Sequence, residues 1–302
     1  MAKIKIGIPR SLFYYYYKDI WKLFFNEFNI ELIVSPPTNK KIMENGSKYS
    51  TDEMCISMKN YIGHVHYLLD KCDYILVPRI SNYGNDNQTC TNFLATFDII
   101  NNIFETKLLN YNINLENNET EEKGLIKIVT KFGYSKEYAT KVYKNAVKKI
   151  TEKNNKLIKE NIKKLESSKK KILLIGHPYN IYDNLIGKDI IKYLESNDID
   201  IIYSDLFHKD ITNELSKKLS YSLYFKYNKE NIGAIPLVID KIDGIIFIST
   251  FPCGPDSLAN ELVFRKIKKP YLNLIIDDLD SLTGIETRIE SFIDIIKGDI
   301  YE

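Results

Sequence analysis

The stretch DGIIFISTFPCGPDS, residues 243–257, contains the pattern that decides the fold. Its first eight residues are centred on the apolar run IIFI, which predicts a strand that is buried on both faces, as in parallel sheets. Two prolines and a glycine then interrupt the run. An apolar-periodic segment begins at Asp256. The stretch therefore predicts a strand, a short loop that carries Cys253, and a helix over residues 256–267.

The same order of strand and helix recurs along the chain on both sides of this stretch. Strands are predicted at residues 3–9, 30–34, 74–78, 107–111, 171–176, 199–203, 243–250 and 271–276. Helices are predicted at residues 12–28, 54–69, 92–104, 184–197, 215–227, 256–267 and 283–297. Strands that alternate with helices indicate βαβ units. The sequence thus predicts an α/β protein with two Rossmann-like or flavodoxin-like lobes and mostly parallel sheets.

The predicted elements divide the chain into three parts. Residues 1–111 form an amino-terminal α/β lobe, and residues 170–302 form a carboxyl-terminal one. Residues 112–169 start as a polar connection and continue with apolar residues at helical spacing, which predicts a long helical connector. The many lysines of this connector are interpreted as a solvated helix face. In such sheets, ligands bind outside the carboxyl ends of the strands.

Composition excludes several classes of protein. The 302 residues have a formal net charge of +2, so no nucleic-acid partner is indicated. No apolar stretch is long enough for a membrane span. The start MAKIKIGIPRS has no apolar core of a secretory signal. We therefore expect a cytoplasmic protein, in which the four cysteines do not form structural disulfides.

Three of the four cysteines precede or begin predicted helices. Cys253 follows a strand, Cys90 begins the helix after the strand YILVP, and Cys55 lies in the first turns of another helix. The positive end of a helix dipole favours a thiolate, which is the form of cysteine that binds a metal. Cys72 lies at a helix-to-strand junction and is interpreted as a packing residue. The spacing of the other three cysteines is not a metal-binding motif by itself.

Four stretches together resemble one family. They are EMCISMKNYIGHVHYLLDKCDYILVPRI (53–80), IGHPYNIYD (175–183), FPCGPDS (251–257) and KPYLNLIIDDLDSLTGIETRIESFID (269–294). In combination they resemble the acyl-CoA dehydratase activase-related family, which is related to the 2-hydroxyacyl-CoA dehydratase subunits and the double-cubane-cluster proteins. The resemblance implies a [4Fe–4S] cluster, or a larger iron–sulfur cluster, bound by Cys55, Cys90 and Cys253. Three ligands would leave one iron open.

The resemblance also draws attention to residues around these cysteines. Lys59, His64 and His177 are candidate catalytic residues, although His64 is interpreted first as a core histidine. A second set consists of candidates for binding an anion or substrate, because its members follow the carboxyl ends of predicted strands. These candidates are Arg10, Arg79, Tyr179 and Asn180.

These observations predict an iron–sulfur protein for low-potential electron transfer or reductive chemistry. The chain has no phosphate-binding loop motif, so any ATP hydrolysis is expected on a separate activator or reductase protein. The residues leave open whether the chain is an enzyme; as one, it would be a reductase or a dehydratase-like iron–sulfur enzyme. The alternatives are a non-catalytic cluster carrier, a metal-free α/β protein that binds a small anion, and a zinc site with His64 or His177 as the fourth ligand. A homodimer and a heterodimer also stay open.

Overall fold

The chain is an α/β protein with mostly parallel sheets, which confirms the predicted fold class. The computed structural model describes residues 3–84, 86–277 and 282–298. Residue 85, in a predicted loop, and residues 278–281, in the last family-like stretch, lie outside the described residues. The chain divides into two compact units, Met1–Lys153 and Asn154–Glu302.

In the first unit, strands and helices alternate along the chain. The strands are β1 (Ile4–Ile8), β2 (Ile30–Val34), β3 (Tyr74–Leu76), β4 (Arg79–Asn82), β5 (Leu108–Leu109) and β6 (Asn112–Asn114). The helices are α1 (Phe13–Phe25), α2 (Lys40–Lys48), α3 (Ile56–Leu68), α4 (Thr91–Ile103), α5 (Glu121–Lys131) and α6 (Lys136–Lys163), with a 3-10 turn at Leu115–Asn117; the last residues of α6, from Asn154, belong to the second unit. The main sheet has the order β2-β1-β3-β5, and β4 pairs with β6 in a two-stranded sheet.

The strand order creates a crevice at the carboxyl ends of β1 and β3. The chain moves from β1 to one side to form β2 and returns to the other side to form β3. At such a switch point the following loops diverge, and ligands of α/β proteins bind there. Arg10 lies in the loop that follows β1. The topology therefore places Arg10 at the edge of the sheet where ligands usually bind.

Helix α3 is buried over most of its length and touches α2 through the backbone. Gly46 of α2 and Gly63 of α3 lie at this crossing. A Cβ atom at Gly46 would overlap the carbonyl oxygen of Lys59, and one at Gly63 would overlap that of Ile42. The missing side chains let the two helices approach closely, so α2 fixes the position of α3.

Aromatic side chains fill much of the core of the first unit. Trp21 is almost completely buried on α1 and is the single tryptophan of the chain. Its ring stacks on Tyr17 with centroids 5.8 Å apart, and its indole Nε1 donates a hydrogen bond to the Tyr111 hydroxyl at 3.0 Å. The buried indole therefore has both an apolar environment and a partner for its N–H group.

The second unit repeats the plan of the first main sheet. Its strands are β7 (Lys170–Gly176), β8 (Ile199–Tyr203), β9 (Gly244–Thr250) and β10 (Tyr271–Ile276). Its helices are α7 (Pro178–Ile181), α8 (Lys188–Ser196), α9 (Lys209–Ser216), α10 (Lys226–Ile232), α11 (Ile235–Val238), α12 (Gly254–Phe264) and α13 (Leu282–Lys297), and a 3-10 turn spans Lys164–Glu166. The order β10-β9-β7-β8 puts its switch point between β7 and β9.

Burial explains why these strands form at the predicted places. Every residue of β9 is buried, and five of the seven residues of β7 are buried. Continuous apolar runs of this kind can occupy the centre of a parallel sheet that helices cover on both faces. Side chains such as Leu173, Ile245 and Phe247 pack with Ala259 and Val263 of α12 in one hydrophobic cluster.

The helix predicted at residues 215–227 is wrong. Helix α9 ends at Ser216 and α10 begins at Lys226. Leu219 and Leu223, which lie within the predicted range, belong to the non-helical segment between the two helices and are buried in the hydrophobic cluster. Spaced apolar residues show which side chains are buried, but they do not require a helical backbone between them.

Candidate metal centre

The loop after β9 places Cys253 at the start of a helix in the second unit. Cys253 is the N-cap residue of α12, and its side chain is partly buried. Asp256 lies in the first turn of α12; its carboxylate accepts a hydrogen bond from Asn228 Nδ2 at 2.7 Å and pairs with His177 Nε2 at 2.9 Å. His177 follows β7, and α12 follows β9. The His177–Asp256 pair therefore links the segments that follow the two strands of the switch point.

The surroundings of Asp256 keep its carboxyl group ionised. Burial alone would raise the pKa of Asp256, but the charge of His177 and hydrogen bonds from His177, Asn228 and Cys253 together lower it. The His177 ring stacks on Tyr179 with centroids 4.7 Å apart, which holds the imidazole in place. Cys253 therefore lies beside a buried carboxylate whose charge is compensated from the other side.

Cys55 and Cys90 occupy equivalent positions in the first unit. Cys55 is the N-cap residue of α3, and Cys90 is the N-cap residue of α4. Both side chains are partly buried. Asn92, in the first turn of α4, donates a hydrogen bond from Nδ2 to the Cys55 sulfur at 3.5 Å. This bond places the start of α4, and with it Cys90, next to Cys55.

The positions of Cys55 and Cys90 suit thiolate chemistry. A helix N-terminus presents unpaired backbone N–H groups and a partial positive charge, both of which stabilise a sulfur anion. The thiols of Cys55 and Cys90 therefore fit iron–sulfur ligation in chemical type, whereas the Cys253 thiol donates to the Asp256 carboxylate and would have to lose its proton before binding iron. Within the described parts of the chain, however, no three Cys, His, Asp or Glu side chains are close enough together to hold a metal ion.

His64 and Lys59 lie on α3 beyond Cys55. The His64 ring is completely buried, with Nδ1 hydrogen-bonded to the Ser35 hydroxyl at 2.8 Å and Nε2 to that of Thr38 at 3.0 Å. Burial, aided by the charge of Arg10, lowers the pKa of His64 to about 3. The ring is thus a neutral core histidine with both nitrogens engaged. Lys59 is nearly buried and has its backbone N–H bonded to the Cys55 carbonyl at 3.0 Å.

The candidate anion-binding residues have different surroundings. The Arg79 guanidinium forms an ion pair with both carboxylate oxygens of Asp98 at 2.6 Å. Tyr179 covers the His177 ring, and Asn180 is buried in α7. Arg10 has no carboxylate within ion-pair distance among the described residues. Of these four residues, Arg10 therefore has the environment that most favours an anion.

Cys72 differs from the other three cysteines. Its thiol donates to the Leu68 carbonyl oxygen at 3.4 Å, and burial raises its pKa. A Cβ atom at Gly7 would lie only 2.6 Å from the Cys72 sulfur. Cys72 thus packs closely against β1, as the sequence predicts.

Sequence reasoning missed the asparagines of both regions. Asn92 contacts the Cys55 sulfur, and Asn228 contacts Asp256. Asparagine is frequent throughout the chain, so the residue type alone marks neither position in the sequence. The one signal that could have drawn attention to Asn92 is its position two residues after Cys90.

Comparison with known proteins identifies the family. The sequence profile described as "CoA enzyme activase uncharacterised domain (DUF2229)" matches residues 5–207. The chain belongs to this family. The match covers the first unit from residue 5 onward and extends past β8 in the second. A search of curated proteins found no significant match.

Several solved structures are similar over nearly the whole chain, at low identity. They include the binding protein FpvC from Pseudomonas aeruginosa in complex with Ni²⁺, at 10% identity and a TM-score of 0.29, with 98% of this chain and 96% of that chain covered. An aspartate racemase homologue from Pyrococcus horikoshii OT3 has 15% identity and a TM-score of 0.23, with 98% and 100% covered. Such scores carry no argument about function. Among the described helices, none has the length and apolar character needed to cross a membrane.

Proposed function

We propose that this activase-related protein binds an iron–sulfur cluster of the [4Fe–4S] type, or a larger one, through Cys55, Cys90 and Cys253. The observation that carries the proposal is the bond from Asn92 to the Cys55 sulfur, which brings two cysteine-capped helix starts together. When bound, such a cluster supplies one-electron transfer at low potential. The wider relationship to 2-hydroxyacyl-CoA dehydratases and double-cubane proteins belongs to the same proposal.

The protein's own residues would hold and adjust the ligands. The N-termini of α3 and α4 favour ionised thiols at Cys55 and Cys90. The Asn92 amide donates to a ligand sulfur, and such hydrogen bonds raise a cluster's reduction potential. Asp256 fixes the loop of Cys253 through His177 and Asn228. These residues therefore act as positioning residues rather than ligands.

The decisive experiment is anaerobic purification and reconstitution of the full chain, followed by measurement of iron, acid-labile sulfide and visible absorption. We expect a broad absorption band that bleaches on reduction. Single replacements of Cys55, Cys90 and Cys253 by alanine should each lower the bound iron and sulfide. The matched control is Cys72→Ala, which should retain both, because Cys72 is bonded to a helix carbonyl.

Two results would overturn the proposal. One is a colourless, iron-free protein after anaerobic reconstitution. The other is loss of iron in Cys72→Ala with retention in the three other variants. Zinc found in place of iron would instead support the zinc alternative, although both nitrogens of His64 are already hydrogen-bonded.

We further propose that the electron comes from a separate ATP-dependent activator protein. The family description, which names a CoA enzyme activase, and the lack of a phosphate-binding loop motif support a division of labour between two chains. Mixing the reconstituted protein with such an activator and ATP should bleach the cluster band. ATP without the activator should not. An assay of turnover on acyl-CoA substrates separates an enzyme from a cluster carrier.

A further inference from the structure

The side chain of Asn60 is buried without a hydrogen-bond partner. It lies on α3 with no exposed surface, and neither its Oδ1 nor its Nδ2 atom has a partner among the described residues. Leaving a buried amide unpaired costs about 1–3 kcal/mol per group. Native proteins rarely leave such groups unpaired, so this amide calls for an explanation.

The neighbours of Asn60 along α3 show which surface it faces. Ser57 and His64 lie three residues before and four residues after Asn60, and therefore on the same helix face. The Ser57 carbonyl accepts a hydrogen bond from Ser11 Oγ at 3.3 Å, and His64 is bonded to Ser35. Ser11 and Ser35 lie in the loops after β1 and β2. These bonds place the face of α3 that carries Asn60 against the loops that follow β1 and β2.

Arg10 is the second incompletely satisfied group at this place. Its backbone N–H donates to Ser35 Oγ at 2.8 Å, and the same hydroxyl contacts His64. Its Nε atom is buried and has no partner among the described residues. The guanidinium has a tyrosine ring, Tyr14, at 5.8 Å but no carboxylate to balance its charge in the described structure. Arg10 is therefore connected through Ser35 and His64 to the helix that carries the unpaired Asn60 amide, at the switch point of the first sheet.

We propose that Arg10 and Asn60 form a binding site for a small oxyanion, a carboxylate or phosphate group, at the carboxyl end of β1. An oxyanion would accept hydrogen bonds from the Arg10 guanidinium and from Asn60 Nδ2. A protonated oxygen or hydroxyl of the ligand would donate to Asn60 Oδ1. A water molecule alone would pair with the amide but leave the arginine charge uncompensated. The site lies entirely within the first unit and requires no iron, so it goes beyond the proposed cluster function.

The test is titration of the full chain with inorganic phosphate and, separately, with acetate, by calorimetry and by thermal unfolding. Sodium chloride at equal ionic strength measures the general salt effect. We expect saturable binding and a rise in the unfolding midpoint with at least one oxyanion. The anion that binds more tightly distinguishes a phosphate site from a carboxylate site.

Two variants and one control connect this binding to the site. Arg10→Gln and Asn60→Leu should each weaken binding by about tenfold or more, because each removes a donor. Arg265→Gln should leave binding unchanged, since Arg265 is an exposed residue paired with Glu261 in the second unit. Without oxyanion, Asn60→Leu should be at least as stable as the parent, because it removes two unpaired polar atoms.

The outcomes separate the alternatives. No saturable binding beyond the chloride effect, or unchanged affinity in Arg10→Gln and Asn60→Leu, would overturn the proposal. A clear loss of stability in Asn60→Leu without oxyanion would also overturn it, because the amide would then already have a partner such as water. Iron analysis of the same variants should give parental values, so failure of this site and failure of the cluster proposal are distinguishable.

Discussion

Glu121 predicts a specific dependence of stability on pH. Its Oε2 atom accepts a hydrogen bond from the Tyr143 hydroxyl at 2.9 Å, and its Oε1 atom is buried without a partner in the described structure. Burial raises the pKa of Glu121 from 4.5 to about 7, although the Tyr143 bond opposes this rise. Ionising this carboxyl in the folded protein therefore costs about 3 kcal/mol.

The direction of this pH dependence follows from the number of protons that the folded and unfolded states bind. Between the unfolded pKa and the folded pKa, the unfolded chain has lost the Glu121 proton and the folded protein has kept it. The free energy of unfolding therefore falls as the pH rises through this range. From pH 5 to pH 8 the Glu121 contribution should decrease by about 2.5 kcal/mol.

The assay is urea unfolding, followed by circular dichroism, of the parent and of Glu121→Gln at several pH values. Glutamine keeps an acceptor for Tyr143 but cannot ionise. The difference between the two proteins' free energies of unfolding should therefore change by about 2.5 kcal/mol from pH 5 to pH 8. Glu137→Gln is the matched control, because Glu137 is also in the first turn of a helix but is exposed. Parallel pH curves for the parent and Glu121→Gln would refute the reasoning.

Two further predictions concern packing and buried polar groups. Gly63→Ala should lower the free energy of unfolding in urea by about 3 kcal/mol, because the added Cβ would overlap the rigid carbonyl of Ile42. Gly254→Ala is the control: a Cβ added there has no atom within 4 Å, so stability should change by less than about 0.5 kcal/mol. Asn161→Ala should lower the free energy of unfolding by about 3 kcal/mol, because the buried Asn161 amide hydrogen-bonds three backbone groups at and beyond the end of β8. Asn155 is exposed, so Asn155→Ala should leave the free energy of unfolding nearly unchanged. Equal effects within either pair of variants would contradict these assignments.

Much of the fold could be predicted because the strands are continuous apolar runs. Runs such as KILLIG and DGIIFIST became β7 and β9 within one residue of the predicted bounds. Helix α5 was missed because it starts in a polar segment, where Thr120 caps it by accepting from the Lys123 N–H at 3.2 Å. A cap of this kind is a local hydrogen bond that many polar segments of the chain could form equally well.

The candidate sites could be predicted only in part. The cysteines stood out because they are few and precede helices, and all three are N-cap residues. Asn60 could not be recognised, because only the folded structure shows that its amide is buried and unpaired. The strand order that brings Arg10 to a switch point could not be predicted either. It depends on which distant strands pair, and the local periodicity of apolar residues does not show this.

The environment of Trp21 has a practical consequence for separating the two units. Because it is the single tryptophan and is buried in the first unit, its fluorescence reports on that unit alone. Helices occur in both units, so far-ultraviolet dichroism reports on the whole chain. If the tryptophan emission shifts at a lower or higher urea concentration than the dichroism changes, the two units unfold independently. Tryptophan fluorescence of the unmodified protein can thus show whether a ligand stabilises the first unit.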